Sequence, residues 1–378
     1  MSFSVERLET RCYLAGNVTA EVVRGDLVVT GDDLANNIAI DYLGIPGQFR
    51  LTGNSTTVNG LAQVNLSGVS GDVEVKLGQG DDIFGFATVG PVVLNLEGDL
   101  DVDMGEGQNV FTLRTASLLE IQGDVNIRGG DDVDFFLLST DGPNSLMKIH
   151  GDLNLRPGDG GSSCAAIANG QGSLLALEGK LTVTGGKGDD FFGILVRQDF
   201  AAVTLNGKLT FRADDGNNTL HIDNDAYRSA ITISDDVQFN AKNGNDSVLY
   251  QAGGKLASVT TEGRVSLRLQ GGDNSLRWLA KAEAATASVG SLTYVGRNER
   301  DSVDMFAPAL NSRVETDGSV SLRLGGGTNR VGLAADASHS QVLVLGAFSV
   351  VGGGGDDVVL MGANNTNSLI GLALDSSF

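Results

Sequence analysis

Cysteine occurs twice and histidine three times in 378 residues. Two thiols are too few for a disulfide framework. His150, His221 and His339 stand in different places of the chain's repeat, so neither a zinc site nor a histidine-based triad is indicated. Basic residues are also in the minority: 26 Lys and Arg against 47 Asp and Glu leave a formal charge of −21. Nucleic-acid phosphates and anionic lipid surfaces both depend on Lys and Arg, so the balance argues against either as a partner. It suits solubility, saline surroundings or cation binding. No apolar run is long enough for a transmembrane span. The N-terminus, MSFSVERLETRCYLAGNV, lacks the basic segment and long apolar stretch of an ordinary secretory signal. Proline is rare, at five, and signals for helix are nearly absent.

Glycine is abundant, at 53, and its spacing organises the chain. Taking Gly179 as position zero of SLLALEGKLTVTGGKGDDFFGILVRQDF, apolar residues fall at −4 and −2 (Leu175, Leu177), +2 and +4 (Leu181, Val183) and +13 and +15 (Phe192, Ile194). These are three short strands of period two joined by turns. The anchor recurs at Gly25, Gly71, Gly98, Gly123, Gly151, Gly179, Gly207, Asp235, Gly263, Gly290, Gly318 and Gly346, and from Gly123 onward the step is 28 with one exception of 27. A fixed period of this length, in a unit that cannot bury its own apolar face, predicts a solenoid. Position +13 is apolar in every repeat. Position +11 reads Asn36, Asp82, Asn109, Asp134, Ser162, Asp190, Asn218, Asp246, Asn274, Asp301, Asn329 and Asp357. This column resembles the asparagine ladder of parallel β-helices. The expected fold is therefore all-β: a single-stranded parallel β-helix of about twelve coils of ~28 residues, with three short strands per coil.

The expected organisation is an N-terminal motif or cap over 1–20, a solenoid domain over 21–374 and a short tail at 375–378. The step from Gly25 to Gly71 is 46 residues, 18 beyond one coil, which places an insertion or added hairpin at about 42–60. Such an insertion is either decorative or a binding loop. The three-residue deficit between Gly98 and Gly123 falls to the turn after Leu113, and the weakened pattern at Ala282 to Ser288 marks the expected site of the one-residue loss. An open last coil exposes strand edges and core that something must cover.

Leu8, Glu9, Arg11, Leu14, Ala15 and Gly16 resemble the "Leu-Glu-Pro-Arg, then Leu-Leu-Ala" motif of large planctomycete surface and secreted proteins, with Thr10 in place of the proline and Cys12-Tyr13 in place of leucines. The resemblance covers about ten residues and implies an extracellular or cell-surface location; the same segment also suits a cap over the first coil. The Gly-rich runs at 78–84, 185–192 and 352–359 resemble single copies of the calcium-binding nonapeptide of RTX proteins. That resemblance implies calcium at Asp81, Asp82, Asp189, Asp190, Asp356 and Asp357, although no cofactor is required, because Gly, Asn and Asp also serve turn geometry.

Two further groups carry candidate chemistry. The outward-facing +5 column holds Arg128, Arg156, Arg212, Arg268 and Arg323, a basic stripe that either balances nearby acids or binds an acidic polysaccharide. Asp99, Asp101, Asp103, Asp124 and Asp152, with Arg128 and Arg156, lie on neighbouring coils and are the nearest match to the carboxylate-and-base site of β-helix lyases and hydrolases. The same positions are polar in every coil, so nothing marks this patch as singular. The expected function is a noncatalytic extracellular or surface β-helix acting as a rigid structural or adhesion module, with a polysaccharide or surface protein as partner. A carbohydrate-active enzyme and a calcium-binding RTX-like module are the alternatives.

Overall fold

The computed structural model describes residues 16–88, 92–297 and 299–374. Among these residues every regular element is a strand. The coil of Gly179 shows the unit: a first strand Leu174–Leu177, a second Leu181–Gly185 and a third Phe191–Val196. Each strand lies parallel on its counterpart one coil on, with Leu174 beside Ala202, Leu181 beside Leu209 and Phe191 beside Thr219. The offset is 28 residues at each of these pairs, so the chain is a parallel β-solenoid. The sheet of third strands has fourteen members. Two of them, Gln48–Gly53 and Gln63–Ser67, are joined to the sheet by antiparallel pairing, leaving twelve parallel rungs and eleven turns between them. At about 4.8 Å per rung the stack is roughly 55 Å long.

Alternation within each strand sends one set of side chains inward and the other to solvent. Leu175, Leu177, Leu181, Val183, Phe192 and Ile194 are all buried, and the same columns in other coils extend this core along the axis. Aromatic rings line up from coil to coil: Phe211 stacks flat on Phe239 at 4.7 Å, and Phe111 meets Phe136 edge-on at 6.2 Å. The glycine at position zero is a steric requirement of the corner. A Cβ on Gly179 would lie 2.3 Å from the Gly151 carbonyl oxygen and 2.6 Å from Asp152 Oδ1.

The insertion is a hairpin and its extension. Asn37–Tyr42 pairs antiparallel with Gln48–Gly53, which pairs antiparallel with Gln63–Ser67, and the chain then rejoins the stack. Asn17–Val23 runs antiparallel to Asp26–Thr30. The first coil is thus covered on two faces by reversed strands. The expected N-terminal motif at residues 8–15 lies outside the described residues, as does the tail at 375–378.

The three-residue deficit sits in the turn after Leu113: Thr115 and Leu118 end and begin adjacent strands, where the next coil runs from Thr140 to Leu146. The one-residue loss is placed differently from expectation. Residues 286–289 keep the 28-residue register with 258–261, and the shift occurs after them, between Thr261 and Arg264. Gly290 alone turns the corner that Glu262 and Gly263 turn in the coil before. The Ala282 to Ser288 segment is undistorted because its turn repeats a backbone form present in other coils. A left-handed residue occupies the same place at Phe200 (φ 60°), Leu256 (φ 60°), Ala284 (φ 55°) and Asn311 (φ 57°).

Candidate functional site

The +11 side chains form one hydrogen-bonded column through the stack. The backbone N–H of each except Asn274, which reaches Asp301 through its side-chain amide, donates to the side-chain oxygen of the next: Asn36 to Asp82 (2.7 Å), Asp82 to Asn109 (2.9 Å), Asn109 to Asp134 (2.9 Å), Asp134 to Ser162 (3.0 Å) and Ser162 to Asp190 (2.9 Å). The run continues from Asp190 to Asn218, from Asn218 to Asp246 and from Asp246 to Asn274. It ends with Asp301 donating to Asn329 and Asn329 to Asp357. Donation differs from the pattern the alternation suggests. The main donors are backbone amides, and the Asn amides mostly cap carbonyls of their own turn, as Asn109 Nδ2 does on Gly107 (2.9 Å). Only Asn218, Asn274 and Asn329 add an amide bond to the next carboxylate.

Each carboxylate uses one oxygen in this column. The second oxygens of Asp82, Asp134, Asp190, Asp246 and Asp301 are buried without a hydrogen-bond partner. Burial therefore pushes the acids up, Asp82 and Asp134 to about 7 and Asp190 and Asp246 to about 6, with backbone N–H donation offsetting part of the rise. Glycine faces three of these oxygens, whereas the equivalent position holds Ala241 at Asp246 and Leu77 at Asp82. A Cβ on Gly129, Gly185 or Gly296 would lie 1.7, 2.0 or 1.7 Å from the second oxygen of Asp134, Asp190 or Asp301. Where Asn or Ser occupies the ladder, the equivalent position holds Met104, Pro157, Ala213, Leu269 or Leu324, with Gly31 the exception.

The acids at +10 lie outside this column. Asp81 Oδ1 accepts from the Gln108 N–H (2.9 Å), and Asp189 Oδ1 from Asn217 (2.7 Å). The second run continues from Asn217 to Asn245, Asp273 and Arg300. Asp356 and Asp357 lie at the exposed last coil. Among the described residues no group of three or more His, Cys, Asp or Glu side chains is placed to hold a metal ion. Asp190→Ala is expected to cost about 1–3 kcal/mol by stranding the Ser162 N–H, whereas a chelator leaves the melting temperature unchanged. A fall of many degrees with chelator, restored by calcium, would assign the turns to metal instead.

The carboxylates proposed for catalysis divide between two positions. Asp99, Asp124 and Asp152 belong to a corner column with Asp26 and Asp72. In it each Oδ1 accepts the N–H one coil on: Asp99 from Asp124 (2.7 Å), Asp124 from Asp152 (2.7 Å) and Asp152 from Lys180 (2.8 Å). Asp101 is on the second face and accepts from Asn126 Nδ2 (2.7 Å). With Glu74, Lys76, Asp103 and Arg128 it lines a shallow groove of about 270 Å³. Burial raises Asp99; the Asp124 N–H opposes the rise, and the carboxylates of Asp72, Asp124 and Asp101 add to it. Arg128 and Arg156 are register neighbours on the strands Val125–Arg128 and Leu153–Gly158.

Arg128, Arg156, Arg212, Arg268 and Arg323 all point outward and are exposed. No salt bridge joins any of the five to an acid among the described residues. Beside them the +3 column presents Asn126, Asn154, Thr182, Thr210, Gln238, Ser266, Thr293 and Ser321. From the coil of Gly123 to that of Gly318, neither outward column of this face carries a carboxylate. A protein of charge −21 thus bears one strip that is basic and rich in hydrogen-bonding groups.

One cluster escaped the repeat-based reading. On the third face Arg197 Nη1 pairs with Asp223 (2.9 Å) and lies 3.5 Å from Asp225, while Gln251 Nε2 donates to both acids at 3.0 Å. Burial raises Asp223, against the lowering effect of Arg197. The only sequence signal was two acids, Asp223 and Asp225, in a coil whose neighbours lack them at those places. Every oxygen of Asp223 has its donor, so the cluster reads as a closed surface network rather than a reactive one. Comparison with known protein families, with curated proteins and with solved structures returned no match. The class that the fold defines is a parallel β-solenoid module.

Proposed function

We propose that this chain is a noncatalytic, rigid β-helix carried on a cell surface or secreted, acting as a spacer and adhesion module whose second face holds an acidic polysaccharide. The observation carrying the reading is the stripe of five exposed guanidinium groups with no acidic partner among the described residues. Arginine presents a planar fork suited to carboxylate and sulfate groups. Arg128 and Arg156 stand on adjacent rungs about 4.8 Å apart, and Arg212, Arg268 and Arg323 follow on every second rung, about 10 Å apart, in the direction a linear polymer would follow. The net negative charge does not defeat such binding, because at physiological salt the screening length is about 8 Å and a local strip outweighs distant acids.

A second reading rests on the groove at Asp101 and Arg128, where Asp99 is raised by burial. It would make the chain a polysaccharide lyase or hydrolase. The two are separated by titrating a polyuronate against the protein across a salt series and assaying for chain cleavage. Binding without turnover is expected, weakening with salt and falling at least tenfold in the triple variant Arg128→Ser, Arg156→Ser, Arg212→Ser. Unchanged binding by that variant would remove the adhesion face, and turnover abolished by Asp124→Ala would replace it with an enzyme.

A further inference from the structure

The five arginines of the second face are unevenly placed, and their order carries information beyond their charge. Arg128 and Arg156 are register neighbours. Further along, arginine alternates with a neutral residue: Thr184, Arg212, Asn240, Arg268, Val295 and Arg323 lie side by side on successive rungs. Two rungs, roughly 10 Å, separate each guanidinium from the next, and the strip from Arg128 to Arg323 covers seven steps, roughly 34 Å.

The alternation extends into the turn beside the strip. Asp159 and Asp214 follow Arg156 and Arg212 closely in the same coils and are the acids that could neutralise them. Each is held instead by a lysine of the next coil, Lys187 Nζ on Asp159 (2.9 Å) and Lys242 Nζ on Asp214 (2.7 Å). Lys187 and Lys242 belong to the coils that carry Thr184 and Asn240 in place of arginine. Asp215 likewise accepts from Asn243 Nδ2 (2.8 Å). The acids beside the strip are thus occupied from the neutral rungs, and Arg156 and Arg212 keep their forks for an external anion.

We infer that the strip selects its polymer by charge period: its ligand is a linear acidic polysaccharide with one carboxylate per disaccharide, a uronate alternating with a neutral sugar. This rests on the reading of the second face as an adhesion strip and names the polymer that the strip takes. An extended β-linked pyranose chain advances by about one rung spacing per sugar, so carboxylates on every second sugar meet Arg156, Arg212, Arg268 and Arg323 in turn. The intervening sugars lie over Thr184 and Asn240, with Thr182, Gln238 and Ser266 alongside, whose hydroxyls and amides suit uncharged sugar hydroxyls. A polymer charged at every sugar gains one further partner, Arg128. Its other carboxylates fall on Thr184, Asn240 and Val295, where neutral or apolar groups replace part of their water, on a chain of charge −21.

Calorimetric titration of the full chain compares two octasaccharides, one of glucuronate alternating with N-acetylglucosamine and one of β-linked glucuronate throughout. It is run at physiological salt, where release of condensed counterions favours the denser charge less than it does at low salt. The alternating octasaccharide is expected to bind about threefold or more tightly. In the variant Thr184→Arg, Asn240→Arg the preference is expected to reverse, with an unchanged far-ultraviolet spectrum. Equal or tighter binding of the fully charged octasaccharide by the natural protein, or a preference that the added arginines leave unaltered, would overturn the inference and leave the adhesion face in place. Binding of neither octasaccharide would remove the adhesion face itself, and the inference with it.

Discussion

Between pH 8 and pH 5 the protein is expected to become more stable, its melting temperature rising by roughly 5–10 °C. The source is the row of ladder carboxylates. In the unfolded chain an aspartate titrates near 3.9, whereas in the fold Asp82 and Asp134 are pushed up to about 7 and Asp190 and Asp246 to about 6. Because the folded values are raised, the native state binds more protons between these limits, and stability falls as pH rises through them. The contribution is complete below about pH 4 and is lost by about pH 8. At about 1.4 kcal/mol per unit, four such groups contribute on the order of 5–8 kcal/mol between pH 8 and pH 5. With an unfolding entropy of about 2.1 cal/mol/K per residue, this corresponds to the stated rise. Asp82→Asn with Asp134→Asn should flatten the profile, since an amide does not titrate. A melting temperature that is flat or falls from pH 8 to pH 5 contradicts the assignment.

Gly185→Ala is expected to be strongly destabilising, at about 3–5 kcal/mol. The added Cβ would lie 2.0 Å from Asp190 Oδ2 and 2.4 Å from its Cγ. Neither the backbone nor the carboxyl can yield without breaking the ladder bond from the Ser162 N–H, and breaking a buried network belongs to the short list of large effects. The natural pairing of Pro157 with Ser162 is one way the site accepts bulk, by giving up the second oxygen; Leu77 beside Asp82 is another, with the carboxylate kept. Gly185→Ala with Asp190→Ser should therefore recover more than half of the loss, a coupling that a double-mutant cycle measures by denaturant unfolding. Additive losses in that cycle would mean that the glycine serves the turn alone.

Much of this architecture is legible in the residues themselves. The 28-residue step, the inward columns at −4, −2, +2, +4, +13 and +15 and the polar column at +11 follow from period-two alternation and from the repeat, because a parallel stack places each residue on its equivalent one coil away. The outward stripe of Arg128, Arg156, Arg212, Arg268 and Arg323 is legible by the same parity. Other features depend on the distance between coils. That Asp99, Asp124 and Asp152 hold backbone amides, rather than facing a groove together, depends on how closely the corner glycines let successive coils approach. The left-handed backbone at Phe200, Leu256 and Ala284 has no residue-type signal, since the stack imposes a conformation that none of those side chains prefers. The glycines facing Asp134, Asp190 and Asp301 gain their meaning only when the second carboxylate oxygen is seen to have nowhere else to go. The sequence by itself determined the repeat and the side each residue faces, because those rest on local alternation. The tertiary structure decided which polar atoms meet, because that rests on contacts between coils, most of them 25 or more positions apart.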